Sequence, residues 1–165
     1  MNKRPAVPVS WMSTLLVSPY QRDHDSMNRI FSRSNWRLHS AFGHEDAIAL
    51  TRRELVPVVI CVERPPDGTW KVLIEHASQS ANPPRIIVTS PLDHDHLWTE
   101  ALQRGAYDVL AMPWDSREVL KLNSLAWHSW AVSQTRLNSR NKPLQGNRSL
   151  VFGSSGGQQQ YIPAL

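Results

Sequence analysis

The chain has 165 residues, 41% hydrophobic and 19% charged, with a formal net charge of +4. That length suits one domain of roughly 100–150 residues plus a tail, and the composition excludes a disordered or low-complexity chain. The single cysteine, Cys61, excludes a disulfide framework and a cysteine-based zinc site, and the absence of any run of about 18 apolar residues excludes a membrane-spanning helix.

Residues 1–11 read as an N-terminal tail. They carry basic residues, but the apolar run that follows is short and broken by prolines, so no signal peptide is expected. A reducing, cytoplasmic location without membrane insertion is the expectation.

The first run rich in β-branched and apolar residues is "TLLVS" (14–18), and it reads as a strand. Met27, Ile30 and Phe31 then follow the i, i+3, i+4 spacing of one helix face. "WRLHSAF" (36–42) is the second strand, with a less regular helical candidate from Asp46 to Leu55 behind it. "PVVICV" (57–62) is the third, and the chain after it, "ERPPDGTW", breaks into a charged pair, two prolines and a turn. Trp70, Leu73, Ile74 and Ala77 extend the helical spacing to i+7. "RIIVTS" (85–90) precedes a stripe of Leu97, Trp98, Ala101 and Leu102. "YDVLAM" (107–112) precedes "DSREVLKLNSLAWHSWAVSQ", which aligns Val119, Leu122, Ala126 and Trp130 and offers Asp115 or Ser116 as a cap.

Strand and helix therefore alternate five times over residues 12–133, and three of the strands are nearly continuous in apolar residues. Strands of that kind are buried on both faces of a parallel sheet. The expected architecture is α/β: a (βα)5 doubly wound, parallel, five-stranded sheet. In such sheets the working crevice lies at the carboxyl ends of the strands. The positions there are Ser18 with Pro19, Val62 with Glu63, Thr89 with Ser90, and Met112 with Pro113.

Residues 134–165 are rich in Asn, Ser, Gly and Gln, and read as a flexible basic tail. No acidic residue follows Glu118, whereas Lys121, Arg136, Arg140, Lys142 and Arg148 do. These scattered cations lack interleaved aromatics, so nucleic acid is not expected as a partner. The segments "RDHDS" (22–26) and "DHDH" (93–96) contain metal-favoured residue types, but sit where aspartates cap helices, and capping is the reading adopted. No metal site and no cofactor are expected. Trp36, Trp70, Trp98 and Trp127 read as core or helix-packing residues, and Trp114 and Trp130 as near-surface ones.

Three motifs, "PPDGTW" after strand three, "IIVTS" as strand four, and "GAYDVLAMPWD" around strand five, give the sequence a resemblance to the receiver domains of bacterial response regulators, of the chemotaxis-Y-like kind. The last resembles the family's Gly-Ala-Asp-Asp-Tyr-Leu-x-Lys-Pro-Phe. The resemblance implies an aspartyl nucleophile after strand three, an acidic metal-binding pair after strand one, a hydroxyl on strand four and a lysine after strand five. Carried onto this chain, the acidic pair falls on Ser18 and Pro19, the lysine on Met112, and an aromatic switch residue on Val109. The phosphoacceptor falls on Val62, or on Glu63 with a slip of one residue; Glu63 is expected to pair with Arg64 or Arg85. Thr89 alone is kept.

What this implies is a degenerate pseudo-receiver. It would be a non-enzymatic, single-domain response-regulator-like protein of two-component or phosphorelay signalling that acts by protein–protein contact without phosphorylation. Its unknown signalling partner would dock on the fourth helix, fifth strand and fifth helix, at about 94–104, 107–112 and 115–133. Two alternatives stand beside it: a flavodoxin-like ligand-binding protein or enzyme using the same crevice, and a nucleic-acid-associated protein working through its basic tail.

Overall fold

A computed structural model describes residues 12–63, 69–91 and 95–141. The elements are β1 (Ser13–Val17), α1 (Gln21–Phe31), β2 (Arg37–Ala41), α2 (His44–Arg53), β3 (Val58–Val62), α3 (Thr69–Ser78), β4 (Arg85–Pro91), α4 (Asp95–Arg104), β5 (Asp108–Met112) and α5 (Ser116–Arg140). The five strands form one sheet in the order β2-β1-β3-β4-β5, every pairing parallel. The expected (βα)5 doubly wound architecture is the one observed.

The side-chain period of two along each strand sorts the apolar residues into two layers. Leu15, Val59, Cys61, Ile86 and Val88 face α2, α3 and α4, where Ala47, Trp70, Leu73, Ile74 and Ala101 cover them. Leu16, Val58, Ile60, Val62 and Leu110 face α1 and α5, where Met27, Phe31, Val119 and Ala126 cover them. Both faces being covered is why β1 and β3 are buried along their whole length.

Local signals place the helix ends. The Asp115 side chain accepts from the backbone N–H of Arg117 and Glu118, so it is the cap of α5. Gly105 takes φ +107°, and the bonds Gly105 N–H to Leu102 O and Ala106 N–H to Ala101 O close α4 in a Schellman turn. That left-handed position explains the glycine of "GAYDVL".

Three expectations need correction. The tail was expected to begin at residue 134, but α5 continues to Arg140. Its last turns carry no apolar stripe; the Thr135 and Ser139 hydroxyls instead donate to the carbonyls four residues back, Ala131 and Thr135. Trp130, expected near the surface, is 1% exposed, whereas Trp98, expected as a core or helix-packing residue, is 54% exposed. "RDHDS" does not precede a helix but lies inside α1, whose cap position is Tyr20, without a side-chain cap bond. The N-terminal tail, the "RPPDG" loop, Asp93 and His94, and the segment from residue 142 onward lie outside the described residues.

Candidate functional site at the carboxyl ends of the strands

Ser18 directly follows β1, and its polar groups all bond within the chain. Its N–H donates to Ala41 O at 3.1 Å, continuing the β1–β2 ladder. Its hydroxyl donates to Asp23 Oδ2 at 2.6 Å and accepts the Tyr20 N–H at 3.2 Å. The Ser18 carbonyl lies 2.9 Å from His24 Nε2, and His24 Nδ1 lies 3.1 Å from the Ser40 hydroxyl. A carbonyl only accepts, so Nε2 carries a proton, and in the neutral ring Nδ1 accepts from Ser40. Asp23 and His24 are 5% and 1% exposed, placed over the strand end because α1 starts three residues after Ser18. The adjacent Pro19 is exposed and carries no ligating group.

Val62 closes β3 and is 1% exposed within the apolar layer facing α1 and α5. Met112, at the end of β5, and Trp114, beyond Pro113, pack on that same layer. Two positions that the receiver resemblance assigns to a nucleophile and a lysine therefore hold apolar, uncharged side chains of one cluster. Val109 packs on the opposite face, against the layer under α4. Glu63 follows β3, half-buried, and its N–H donates to Thr89 O at 2.8 Å. Pairing of Glu63 with Arg85 is ruled out by position. Arg85 opens β4 at the far end of the sheet and donates to Ser129 Oγ, Ser129 O and Ser133 Oγ of α5 at 3.1, 3.3 and 2.6 Å. Arg64 lies outside the described residues.

Thr89 is not a free strand-end hydroxyl, because β4 runs two residues beyond it to Pro91. It is 0% exposed, and its Oγ1 accepts the Trp114 indole N–H at 2.7 Å. The resemblance places phenylalanine where Trp114 stands; tryptophan adds an N–H that phenylalanine lacks, and this N–H closes over the hydroxyl. Asp23, His24 and Trp114 are the polar residues of this crevice that sequence reasoning did not assign to it. The extra donor at the Lys-Pro-Phe-like motif was the available signal for Trp114. The short β1–α1 connection was the signal for Asp23.

Among the described residues, no three His, Cys, Asp or Glu side chains gather as a metal site, and no helix is long and apolar enough to cross a membrane.

No family model and no curated protein matches the sequence. Solved structures do match the fold. The signal receiver domain of an HD domain-containing protein from Pseudomonas fluorescens Pf-5 superposes with a TM-score of 0.67 at 22% identity, covering 75% of this chain and 92% of that one. The receiver domain of a Francisella response regulator gives 0.62 at 19% identity, covering 71% and 97%. A chain described as an adenylate cyclase from Rhodopirellula baltica gives 0.70 at 15% identity, covering 79% and 98%. Identities this low carry the fold and nothing finer. The chain therefore has the receiver fold, a parallel five-stranded α/β domain like those of response-regulator signalling proteins.

Proposed function

We propose that this chain is an atypical receiver-fold adaptor in two-component or phosphorelay signalling, cytoplasmic and non-enzymatic, which works by contact with a protein partner and takes no phosphoryl group. The observation that carries this reading is the apolar cluster of Val62, Met112 and Trp114, with the Trp114 indole bonded to Thr89. Aspartyl phosphate formation needs a carboxylate nucleophile and positive charge opposite the developing negative charge. A valine and a methionine supply neither. Ser18 cannot replace an anionic metal ligand, since its hydroxyl is neutral and is engaged twice within the chain, donating to Asp23 and accepting the Tyr20 N–H.

The expected docking face is α4, β5 and α5. Its support is the exposure of Trp98 and Leu102, 54% and 43%, one turn apart on α4. Aromatic and aliphatic side chains of that kind anchor protein interfaces.

Titration with Mg²⁺ and beryllofluoride, and separately with acetyl phosphate, followed by amide NMR, tests the chemistry. The expected result is no saturable shift at Val62, Glu63 or Thr89. Saturable shifts clustered there would overturn the reading.

A further inference from the structure

We infer that Ser40 is a nucleophilic serine, with His24 as its general base, and that it takes an acyl group from a small activated aryl ester. Ser40 belongs to β2 and His24 to α1. His24 Nδ1 lies 3.1 Å from the Ser40 Oγ, and His24 Nε2 lies 2.9 Å from the Ser18 carbonyl oxygen. That carbonyl only accepts, so it fixes the imidazole proton on Nε2 and turns the lone pair of Nδ1 toward the Ser40 hydroxyl. A hydroxyl, a base within hydrogen-bond reach of it and a third group that orients the base are the parts of an activated serine. The arrangement needs neither phosphate nor a docked partner, so it stands apart from the adaptor reading.

The surroundings hold the base still and leave the nucleophile open. His24 is 1% exposed, and its ring lies against that of Phe42, with centroids 4.4 Å apart. Ser40 is exposed, because β2 is an edge strand that pairs with β1 alone. The bonds from Arg37 N–H to Met12 O and from Ser18 N–H to Ala41 O turn the backbone of Arg37 and Ala41 toward β1. Backbone groups of successive strand residues point to opposite sides, so the N–H groups of Ser40 and Phe42 face the open edge. A nucleophile's own N–H is one of the donors that hold the oxyanion formed in acyl transfer. Phe42, two residues on and on the same face of β2, is 48% exposed and lines a cavity of about 290 Å³ with Gly43 and His44. A flat aryl group stacks on such a ring, which is the reason for an aryl ester.

In the step itself the Ser40 Oγ attacks the ester carbonyl. The bond from Oγ to the acyl carbon forms, and the bond from that carbon to the aryl oxygen breaks, its electron pair leaving on the aryloxide. The hydroxyl proton passes to His24 Nδ1 and from there to the aryloxide, so the imidazole ends neutral. The products are acyl-Ser40 and a phenol, and the domain is covalently modified.

The test exposes the full chain to p-nitrophenyl acetate and follows acetylation of each serine over time by peptide mass spectrometry. Ser32 and Ser78 serve as internal references. Both are exposed hydroxyls that donate to backbone carbonyls, those of Arg29 and Glu75 at 2.8 and 2.7 Å, and so have no base beside them. Ser40 is expected to acetylate about 100-fold faster than either, the size of a general-base contribution. His24→Gln removes the base and should bring Ser40 down to the rate of the references. Three results would each overturn the proposal: Ser40 acetylated no faster than Ser32 and Ser78, acetyl groups found only on lysine, histidine or tyrosine, or an unchanged Ser40 rate in His24→Gln. The comparison among serines of the unaltered chain needs no variant, so it decides the matter even if His24→Gln fails to fold.

Discussion

Replacing Trp114 with Phe removes one N–H donor and leaves a buried threonine hydroxyl behind it. The bond in question is 2.7 Å long and its acceptor, Thr89, is 0% exposed, so water cannot substitute without entering the crevice. A net intramolecular hydrogen bond contributes about 0.5–1.5 kcal/mol, and cutting a half-buried indole back to a phenyl forfeits roughly 1 kcal/mol of apolar burial. Trp114→Phe should therefore cost about 1.5–2.5 kcal/mol. Thr89→Val keeps the shape but leaves the indole N–H facing a methyl, which should cost about 1–3 kcal/mol. The double variant removes both partners, so its cost should fall short of the sum by about 1 kcal/mol.

The assay is urea unfolding followed by far-UV circular dichroism, because seven tryptophans make a fluorescence change hard to assign. If the two single penalties add to within about 0.3 kcal/mol, the indole and the hydroxyl share no bond that matters. The reasoning that Trp114 seals Thr89 is then refuted, and packing alone fills the crevice. Trp114→Phe should also gain no beryllofluoride binding, since Val62 and Met112 remain where charge would be needed.

Val62→Asp would bury a carboxylate at a site 1% exposed among apolar side chains, and should cost at least about 3 kcal/mol at pH 7. Burial raises the carboxyl's pKa in the fold, so the penalty should shrink as pH falls toward that raised value; a penalty equal at pH 7 and pH 5 in urea unfolding would contradict this. His39 lies 3.4 Å from Glu54, yet burial outweighs that carboxylate and, with Arg37 adding in the same direction, pulls the imidazole below its ordinary 6.5. Its stability contribution is therefore complete above pH 6.5 and lost as pH falls through the lower folded value, so His39→Gln should flatten the acid-side loss of stability measured between pH 7.5 and 5.5. Arg85 joins β4 to α5 through Ser129 and Ser133, and Arg85→Ala should cost about 2–3 kcal/mol in the same assay. Arg85→Lys should recover less than half of that, because an ammonium cannot reproduce the fork.

The strands were legible because each is a short apolar run bounded by polar or turn residues, and burial on both faces leaves little room for another reading. Depth on the helices was less legible. Leu97 and Trp98 sit in one stripe by spacing, but consecutive helical residues point roughly 100° apart. That rotation buries Leu97 at 8% exposure and turns Trp98 outward at 54%. Trp130 falls on the line of Val119 and Ala126, and there the spacing was the better guide than a general expectation for tryptophan. The end of α5 gave no apolar signal, and its residues from Thr135 to Arg140 are mostly exposed among the described residues.

The crevice was legible in position and not in content. Strand ends and the motif at Met112 and Pro113 located it, and residue types there already argued against an anion site. What occupies it depends on contacts between different elements: Asp23 of α1 with Ser18 just after β1, and Trp114 with Thr89 twenty-five residues earlier. Spacing within one element cannot report either.

Those contacts bear on how an adaptor of this fold could signal. A ligand shifts a conformational equilibrium only by the difference in its affinity for the two states. An active receiver would obtain that difference from charge placed in the crevice. In the proposed reading, the crevice holds apolar side chains at Val62 and Met112, the Asp23 carboxylate is engaged by the Ser18 hydroxyl, and the Thr89 hydroxyl is bonded to Trp114. Little differential affinity for phosphate or metal can arise there. The surface around Trp98 and Leu102 would then be presented constitutively, and its occupancy would follow the concentrations of this chain and its partner rather than a phosphorylation state. Abundance, or a ligand acting elsewhere on the domain, becomes the remaining means of control.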